Sequence, residues 1–519
     1  MAFIFGSIST DILALVAILS AAVYFYVTQH KYSYWKRLGI KQISPTFPFG
    51  NFAAAFLQIN HIGLYLQDIY TKTKEPFLGL YSGFKPMLLV NDPELIRLVF
   101  IKDFQHFQDR GMYIDEERDP LSGHLFSMNG DKWKNLRNKL SPTFTSGKLK
   151  AMFPTLVECG DSLLKFVDKY AEKGQTLEMR DILARYTTNI IASVAFGIDI
   201  DCIANEDESF RKYGKKVFEP SFGNAFRGLT GFIFPKLMPI LNLKSVSQDV
   251  EDFILSMTRQ SLEYRERNNV TRKDFLQLMV QLRNTGVVQS DGDWETKIIH
   301  DESKKTLSVE EVAAQSFVFL VAGFETSSNT MSYCLYELAR NPEYQKKVQQ
   351  EIADVLNKHN GEITYESISE MHLLECCIDE TLRMYPPLLL LTRECTKDWQ
   401  IPGTDTIIKK GIQVAIPAFA LQRDEKYYPN PNQFTPERFN AENSAGKSFV
   451  DRPYMPFGEG PRLCIGMRLG KMQSKVGLVL MLKNYNFELT GSTLKPLLIN
   501  PSSFVISPVG GLPLKISKR

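Results

Sequence analysis

The chain has 519 residues, 44% of them hydrophobic and 23% charged, an ordinary globular composition that excludes disorder, collagen and a long coiled coil. Lys plus Arg number 61 against 58 Asp plus Glu, and a net charge of +3 is too balanced for a protein whose task is to coat nucleic acid. The seven cysteines (159, 202, 334, 376, 377, 395 and 464) are odd in number and lack paired CxxC spacing, which argues against a disulfide framework and a closed zinc site.

The first element is a run without charge, residues 12–27, interrupted only by Ser20. As a helix it spans about 24 Å, enough for a thin bilayer such as that of the endoplasmic reticulum. Asp11 belongs at its edge, and Tyr24, Tyr26, Tyr32, Tyr34 and Trp35 form an aromatic belt at the other end. Lys31, Lys36, Arg37 and Lys41 all follow the run and nothing basic precedes it, so the amino terminus is expected in the lumen and the rest in the cytosol. A cleaved signal peptide would need a basic start and a shorter apolar core. Residues 1–30 are therefore read as an anchor, 31–50, with Pro45, Pro48 and Gly50, as a stiff linker, and 51–519 as one domain. The sequon Asn269-Val270-Thr271 should stay unglycosylated if this topology holds.

Strands are expected at 77–81 and 87–90, followed by a helix start at Asp92-Pro93. Residues 131–380 read as mainly helical. From Pro386-Pro387 onward, 388–396, 407–408 and 413–416 read as strands around Gly403 and Gly411 turns. Within the helical stretch, Ser308-Val309-Glu310-Glu311 is a capping box stapled by Leu307 and Val312, and Asn341-Pro342 is a stop. The helix between them would be about 48 Å long, enough to cross a domain. Its middle, 317–324, is apolar on all faces, yet Glu325, Thr326, Ser327 and Ser328 follow at once. Buried polar groups need a reason.

Near the carboxyl end stands Phe457-Gly458-Glu459-Gly460-Pro461-Arg462-Leu463-Cys464-Ile465-Gly466, which fits F-x-x-G-x-R-x-C-x-G at all five fixed positions. Composition predicts on the order of 10⁻⁴ chance matches in the chain. Gly460 and Gly466 allow a tight turn and close approach to a flat ligand, and loop amides together with the start of the following helix, 467–485, favour a thiolate at Cys464. Phe457 would shield that sulfur from water. On these residues the chain resembles the cytochrome P450 haem-thiolate monooxygenases. The resemblance implies the mainly α fold of that family with small β-sheets, haem b (iron protoporphyrin IX) as cofactor, and Cys464 as the axial thiolate ligand of its iron.

Four further patterns resemble the family's. Glu380-Thr381-Leu382-Arg383 fits E-x-x-R, a weak pattern alone, and stands upstream of Pro436-Glu437-Arg438-Phe439 in the family's order. Glu380, Arg383 and Arg438 are thereby implied to form a buried charge network. Trp133 and Arg137, one helical turn apart, and Arg393 and Arg462 are implied partners of the haem propionates. Ala322-Gly323-Phe324-Glu325-Thr326 resembles the segment in which Thr and its acid neighbour guide protons to bound dioxygen. The bland alternative is that Thr326 merely back-bonds to the Ala322 carbonyl.

The resemblance further implies insertion of one oxygen atom into a lipophilic substrate. Electrons would come from outside, from an NADPH-dependent reductase, with cytochrome b5 as a second donor. Lys132, Lys134, Lys139, Lys148, Arg468, Lys471 and Lys475 are candidates for a basic docking face. A different class, a haem-thiolate protein that binds or isomerises ligands without activating oxygen, would use the same loop but tends to lack the Thr–acid pair. The phrases Asp119-Pro120-Leu121-Ser122-Gly123-His124-Leu125-Phe126, Lys139-Leu140-Ser141-Pro142-Thr143-Phe144-Thr145-Ser146-Gly147-Lys148 and Met455-Pro456-Phe457-Gly458 look like the insect microsomal enzymes of family six. Those relatives oxidise plant toxins, insecticides and other xenobiotics. Gln422 departs from the pattern, standing where relatives often carry His before Arg-Asp. Leu125, Phe126, Phe317, Phe324, Leu389 and Ser503 are the expected pocket lining, each also fit for a plain core.

Overall fold

The structure, a computed structural model, describes residues 8–206, 208–219, 221–289, 294 and 306–519. The elements used below are α1 (Ile8–Tyr26), β1 (Phe77–Ser82), β2 (Lys85–Val90), α2 (Gly130–Leu140), β3 (Thr176–Glu178), α3 (Met179–Ile191), α4 (Ser209–Phe218), α5 (Val309–Arg340), α6 (His372–Met384), β4 (Leu391–Glu394), β5 (Trp399–Gln400), β6 (Ile407–Ile408), β7 (Gln413–Ile416), α7 (Met467–Asn484), β8 (Tyr485–Leu489) and β9 (Pro513–Lys518). Helices dominate. The strands form a four-stranded sheet in the order β1-β2-β7-β4, a three-stranded sheet β3-β9-β8 and the pair β5-β6.

The axis of the molecule is α5, 32 residues long, which starts at the Ser308–Glu311 capping box and ends at Asn341. Nearly all of it is buried, so its polar residues must find partners inside. It packs closely on α3: a side chain at Gly323 would stand 2.5 Å from Ile191 Cδ1. α7 lies against the same stretch, where Gln473 Nε2 donates to the Gly323 carbonyl at 3.2 Å. In the mixed sheet β2 runs parallel to β7, and β4 pairs antiparallel with β7, Arg393 opposite Val414. The strand expected over 388–396 is thus shorter. Its first residues, with Ile506 donating to the Pro387 carbonyl, are irregular backbone leading into β4.

α1 is apolar and exposed, with Leu13, Ile18 and Phe25 all facing outward. The region 9–37 is helical and apolar enough in its first part to cross a membrane. The segment 31–50 packs on the domain. Trp35 is wholly buried and its indole donates to the Leu80 carbonyl at 2.8 Å, while Tyr32 and Ile40 join the same core. Its aromatic residues are apolar enough to be drawn onto the back of the β1–β2 hairpin, so the chain leaves the anchor already packed on the domain.

Candidate functional site

The cysteine loop is built from backbone turns. Gly458 N–H donates to the Met455 carbonyl at 3.0 Å, Leu463 N–H to Gly460 at 2.9 Å and Cys464 N–H to Phe457 at 2.9 Å. Gly460 has φ +70°, and a Cβ there would lie 2.0 Å from the Phe100 carbonyl oxygen, so only glycine fits. Gly466 has an ordinary backbone, and no atom lies within 4 Å of where its Cβ would be. Cys464 has an exposed surface although protein surrounds it, so it opens on an internal space. Burial pushes its thiol up from the usual value. The Gly466 N–H facing the sulfur, then Arg137 and Arg110, pull the other way.

Four guanidinium groups crowd this region. Arg462 is buried. Its Nε donates to the Gln108 carbonyl at 2.8 Å and its Nη2 to Met128 at 2.7 Å, and its head lies 3.8 Å from the centre of the Trp133 ring. Arg393 is buried with its head over the Phe100 ring at 4.6 Å; Nη1 reaches the Thr392 carbonyl, but Nε has no partner. Arg110, which the sequence reading missed, stacks on the Phe126 ring at 4.1 Å and donates to the Phe126 and Arg462 carbonyls at 2.8 and 3.3 Å. Arg137 is half-buried on α2. Burial, and then mutual repulsion, depresses Arg462 to about 8 and Arg393 well below its ordinary value. Guanidinium groups stay charged in proteins, so these shifts express a demand for negative charge. Asp109, 3.6 Å from Arg462, is the carboxylate paired with the cluster among the described residues. An orphaned buried Nε and a surplus of cations around a sulfur fit the two propionates of a haem.

Glu380, Arg383 and Arg438 come together. Arg383 Nε and Nη2 donate to both Glu380 oxygens at 2.7 and 2.9 Å, and Arg438 Nε reaches Glu380 Oε1 at 3.3 Å. Arg383 also holds the Gln422 and Pro431 carbonyls, each at 2.8 Å.

Glu325 and Thr326 do not come together. Adjacent helical residues point about 100° apart. Glu325 is buried and paired with Arg180 of α3, beside Asn329. Thr326 is part-exposed and its hydroxyl donates to the Ala322 carbonyl at 2.6 Å, the bland alternative named above. Glu325 instead borders a cavity of about 270 Å³ with Arg180, Phe218, Ser503, Phe504 and Val505.

The expected pocket lining divides. Phe126 and Ser503 each border open space or a charged neighbour, but Phe324 fills the core between α5 and α4, edge-on to Phe218 at 5.6 Å. Leu389 is packed in the main core, and a Cβ at Gly63 would strike it. Both were chosen for being apolar, which does not distinguish lining from filling. Leu125 and Phe317 are also buried. The Leu125 N–H is held by Gln315 Oε1 at 2.9 Å, which ties the 123–127 segment to α5. His124 stands between the Phe126 and Phe317 rings, at 6.4 and 6.1 Å. Its Nδ1 accepts from Ser127 N–H at 3.3 Å, and burial, then Arg110, lowers its pKa to about 4. Arg110, Arg180 and Gln315 carry no local motif that could have marked them, and His124 stands inside the 119–126 phrase, which pointed to the family and not to this residue.

The cytochrome P450 family model matches residues 45–513. Cytochrome P450 6d3 of Musca domestica is 40% identical over 98% of this chain and 99% of that protein. Probable cytochrome P450 6d4 of Drosophila melanogaster is 38% identical over 98% of both. Cytochrome P450 6a2 of the same species is 39% identical over 97% of this chain and 98% of its own. With a motif-bearing cysteine opening on an interior space, a cationic cluster suited to propionates and a match along almost the whole chain, the protein belongs to the cytochrome P450 family of haem-thiolate monooxygenases.

Proposed function

We propose that the chain is a monooxygenase of the endoplasmic reticulum membrane, held by α1 with its catalytic domain in the cytosol. It oxidises lipophilic small molecules such as plant toxins and insecticides, with electrons from NADPH delivered by a separate reductase and by cytochrome b5. The observation that carries the reading is the guanidinium cluster beside Cys464, whose unmet demand for anions suits a propionate-bearing cofactor next to a sulfur ligand.

When bound, the haem supplies dioxygen activation and oxygen-atom insertion into a C–H bond or double bond. The chain does the rest. Cys464 provides the thiolate, and Phe457 excludes water from it. Arg110, Arg137, Arg393 and Arg462, with the Trp133 indole, would hold the propionates. The two side chains would act separately on protons: the Glu325 carboxylate, held by Arg180, faces the cavity it borders, and the Thr326 hydroxyl stands on the part-exposed face of α5. The family match and the relatives supporting a haem monooxygenase favour this reading over one without oxygen activation.

Two surfaces support the partners. Phe222 (83%), Ile240 (75%) and Ile59 (72%) are exposed apolar side chains, as are those of α1. The ring contacts Tyr24–Phe47, Phe47–Phe84 and Phe84–Phe234 tie the end of α1 to the domain beside it, so lipid that holds α1 would lie near these aromatic side chains. Lys134 and Arg468 are exposed and can meet an acidic reductase, whereas Lys132, also exposed, is already paired with Glu116 at 3.0 Å. Lys471 and Lys475 are not: they pair inward with Asp379 and Glu375, and Lys148 is buried against Trp294.

The test is the ferrous carbon monoxide difference spectrum, followed by turnover with reductase and NADPH. A red-shifted thiolate band and substrate-dependent oxygenation are expected. A folded, haem-loaded protein without that band would overturn the ligand assignment.

A further inference from the structure

We propose that Gln422 is a positioning residue for the cysteine loop: one amide clasps the end of α6 to Met455 and so sets the frame from which Cys464 is presented. This rests on Cys464 being the axial ligand. The last carbonyls of a helix have no partner within it. Each finds one here. Thr381 accepts from Tyr385 N–H at 2.7 Å, Leu382 and Arg383 from Gln422 Nε2 at 3.3 and 3.0 Å, and Met384 from Arg423 Nη2 at 2.6 Å. The other end of the Gln422 amide faces the loop, where Oε1 accepts the Met455 N–H at 2.8 Å. Met455 then receives Gly458 N–H, and Phe457 receives Cys464 N–H, at 3.0 and 2.9 Å. An unbroken path of hydrogen bonds and short backbone links therefore runs from this side chain to the cysteine amide. Gln422 is 0% exposed, so water cannot substitute for any of these bonds.

The position demands donors toward two carbonyls and an acceptor toward one N–H. A neutral amide meets both demands at every pH. A neutral imidazole offers one of each, and on protonation it keeps no acceptor and turns a donor toward the Met455 N–H. A carboxylate offers acceptors only, against two carbonyl oxygens. The glutamine at this position thus frees the loop's attachment from titration. The charged and titratable groups around it are Arg383 and Glu380 on α6, Arg423 and Asp424 in its own segment, Arg438, and Tyr428, whose hydroxyl donates to the Pro453 carbonyl at 3.0 Å. They are common to all variants, so the difference from wild type isolates position 422.

The experiment compares holoprotein of wild type, Gln422→Leu and Gln422→Glu. The readouts are the fraction of the ferrous carbon monoxide complex in the thiolate band, its rate of loss, and amide exchange across residues 455–458. Gln422→Leu, which orphans one buried N–H and two carbonyls, should lose the band about tenfold faster and exchange faster, whatever the pH. Gln422→Glu should match wild type near about pH 6, where burial keeps the acid protonated with one donor and one acceptor, and lose the band near about pH 8.5. A Gln422→Leu protein as durable as wild type, or a pH-flat Gln422→Glu protein that keeps its band, would overturn the proposal. Should Gln422→Glu not assemble with haem, Gln422→His is read instead with the opposite sign, labile to acid; a pH-flat His variant overturns it equally. A wild type lacking the band would instead overturn the ligand assignment itself.

Discussion

Arg180, at the start of α3, holds the Glu325 carboxylate of α5, and its Nε donates to Asn329 Oδ1 at 2.8 Å one turn further along the same helix. The acid that the motif sets beside Thr326 is therefore turned toward a cavity, and the hydroxyl is turned to its own helix.

Thr326→Ala should leave NADPH consumption in place while oxygenated product falls by about 10²-fold or more and peroxide rises to account for the reducing equivalents. Its back-bond to Ala322 is local, so thermal stability should change little. Coupling equal to that of wild type would restrict Thr326 to packing.

Glu380→Ala should remove holoprotein rather than adjust its rate. It strips Arg383, which is 0% exposed, of its bidentate partner and leaves a buried charge uncompensated, at a cost of about 3 to 5 kcal/mol. Haem content per mole of purified protein measures this; a normal content would place the network outside the folding core.

Arg110→Ala should loosen haem by about 10- to 10²-fold, the equivalent of one charge-assisted bond of about 1.5 to 3 kcal/mol. The rate of haem transfer to an acceptor protein reads the effect. An unchanged rate would mean that Arg110 serves only the Phe126 stack.

His124 gives stability a definite slope with pH. Its folded pKa, about 4, lies below the ordinary 6.5 because the ring is buried and Arg110 faces it. Above pH 6.5 neither the folded nor the unfolded state carries the proton, so nothing is lost; between 6.5 and about 4 the unfolded chain takes it up and the folded one does not. Stability should therefore fall on acidification through that window and level off below it. His124→Phe should flatten that part of a urea-midpoint profile, and an equally steep variant would remove His124 as the cause.

Asn269 ends the helix Gln248–Asn268 in a left-handed, exposed conformation, so a transferase that met it would have access. Expressed in microsomes, the chain should show no endoglycosidase-sensitive mass there. A glycan would place the domain in the lumen.

The reading of residues as letters went furthest where the chemistry is local. The start and stop signals placed α5 from Val309 to Arg340, as expected, because each signal is local: Ser308 and Glu311 stand three residues apart at one end, and Asn341 and Pro342 are adjacent at the other. The cysteine loop was legible because Gly460 meets a steric condition that no other residue satisfies. In the linker, Pro and Gly speak only of stiffness, and the contact Trp35 makes with Leu80, 45 residues away, was not legible. The core packing of Phe324 and Leu389 was not legible for a similar reason: apolar character says that a side chain avoids water, not which neighbour it meets.

By itself, the order of residues determined the family, the cysteine and the long helix, since each is carried by spacing along the backbone. Which charges meet was decided only in three dimensions. Arg110 joins Arg462 across 352 residues, Arg180 draws Glu325 away from Thr326, and Gln422 links two segments that a helix end and a loop bring together. Coulomb and hydrogen-bond energies depend on distance and burial, and packing alone sets both.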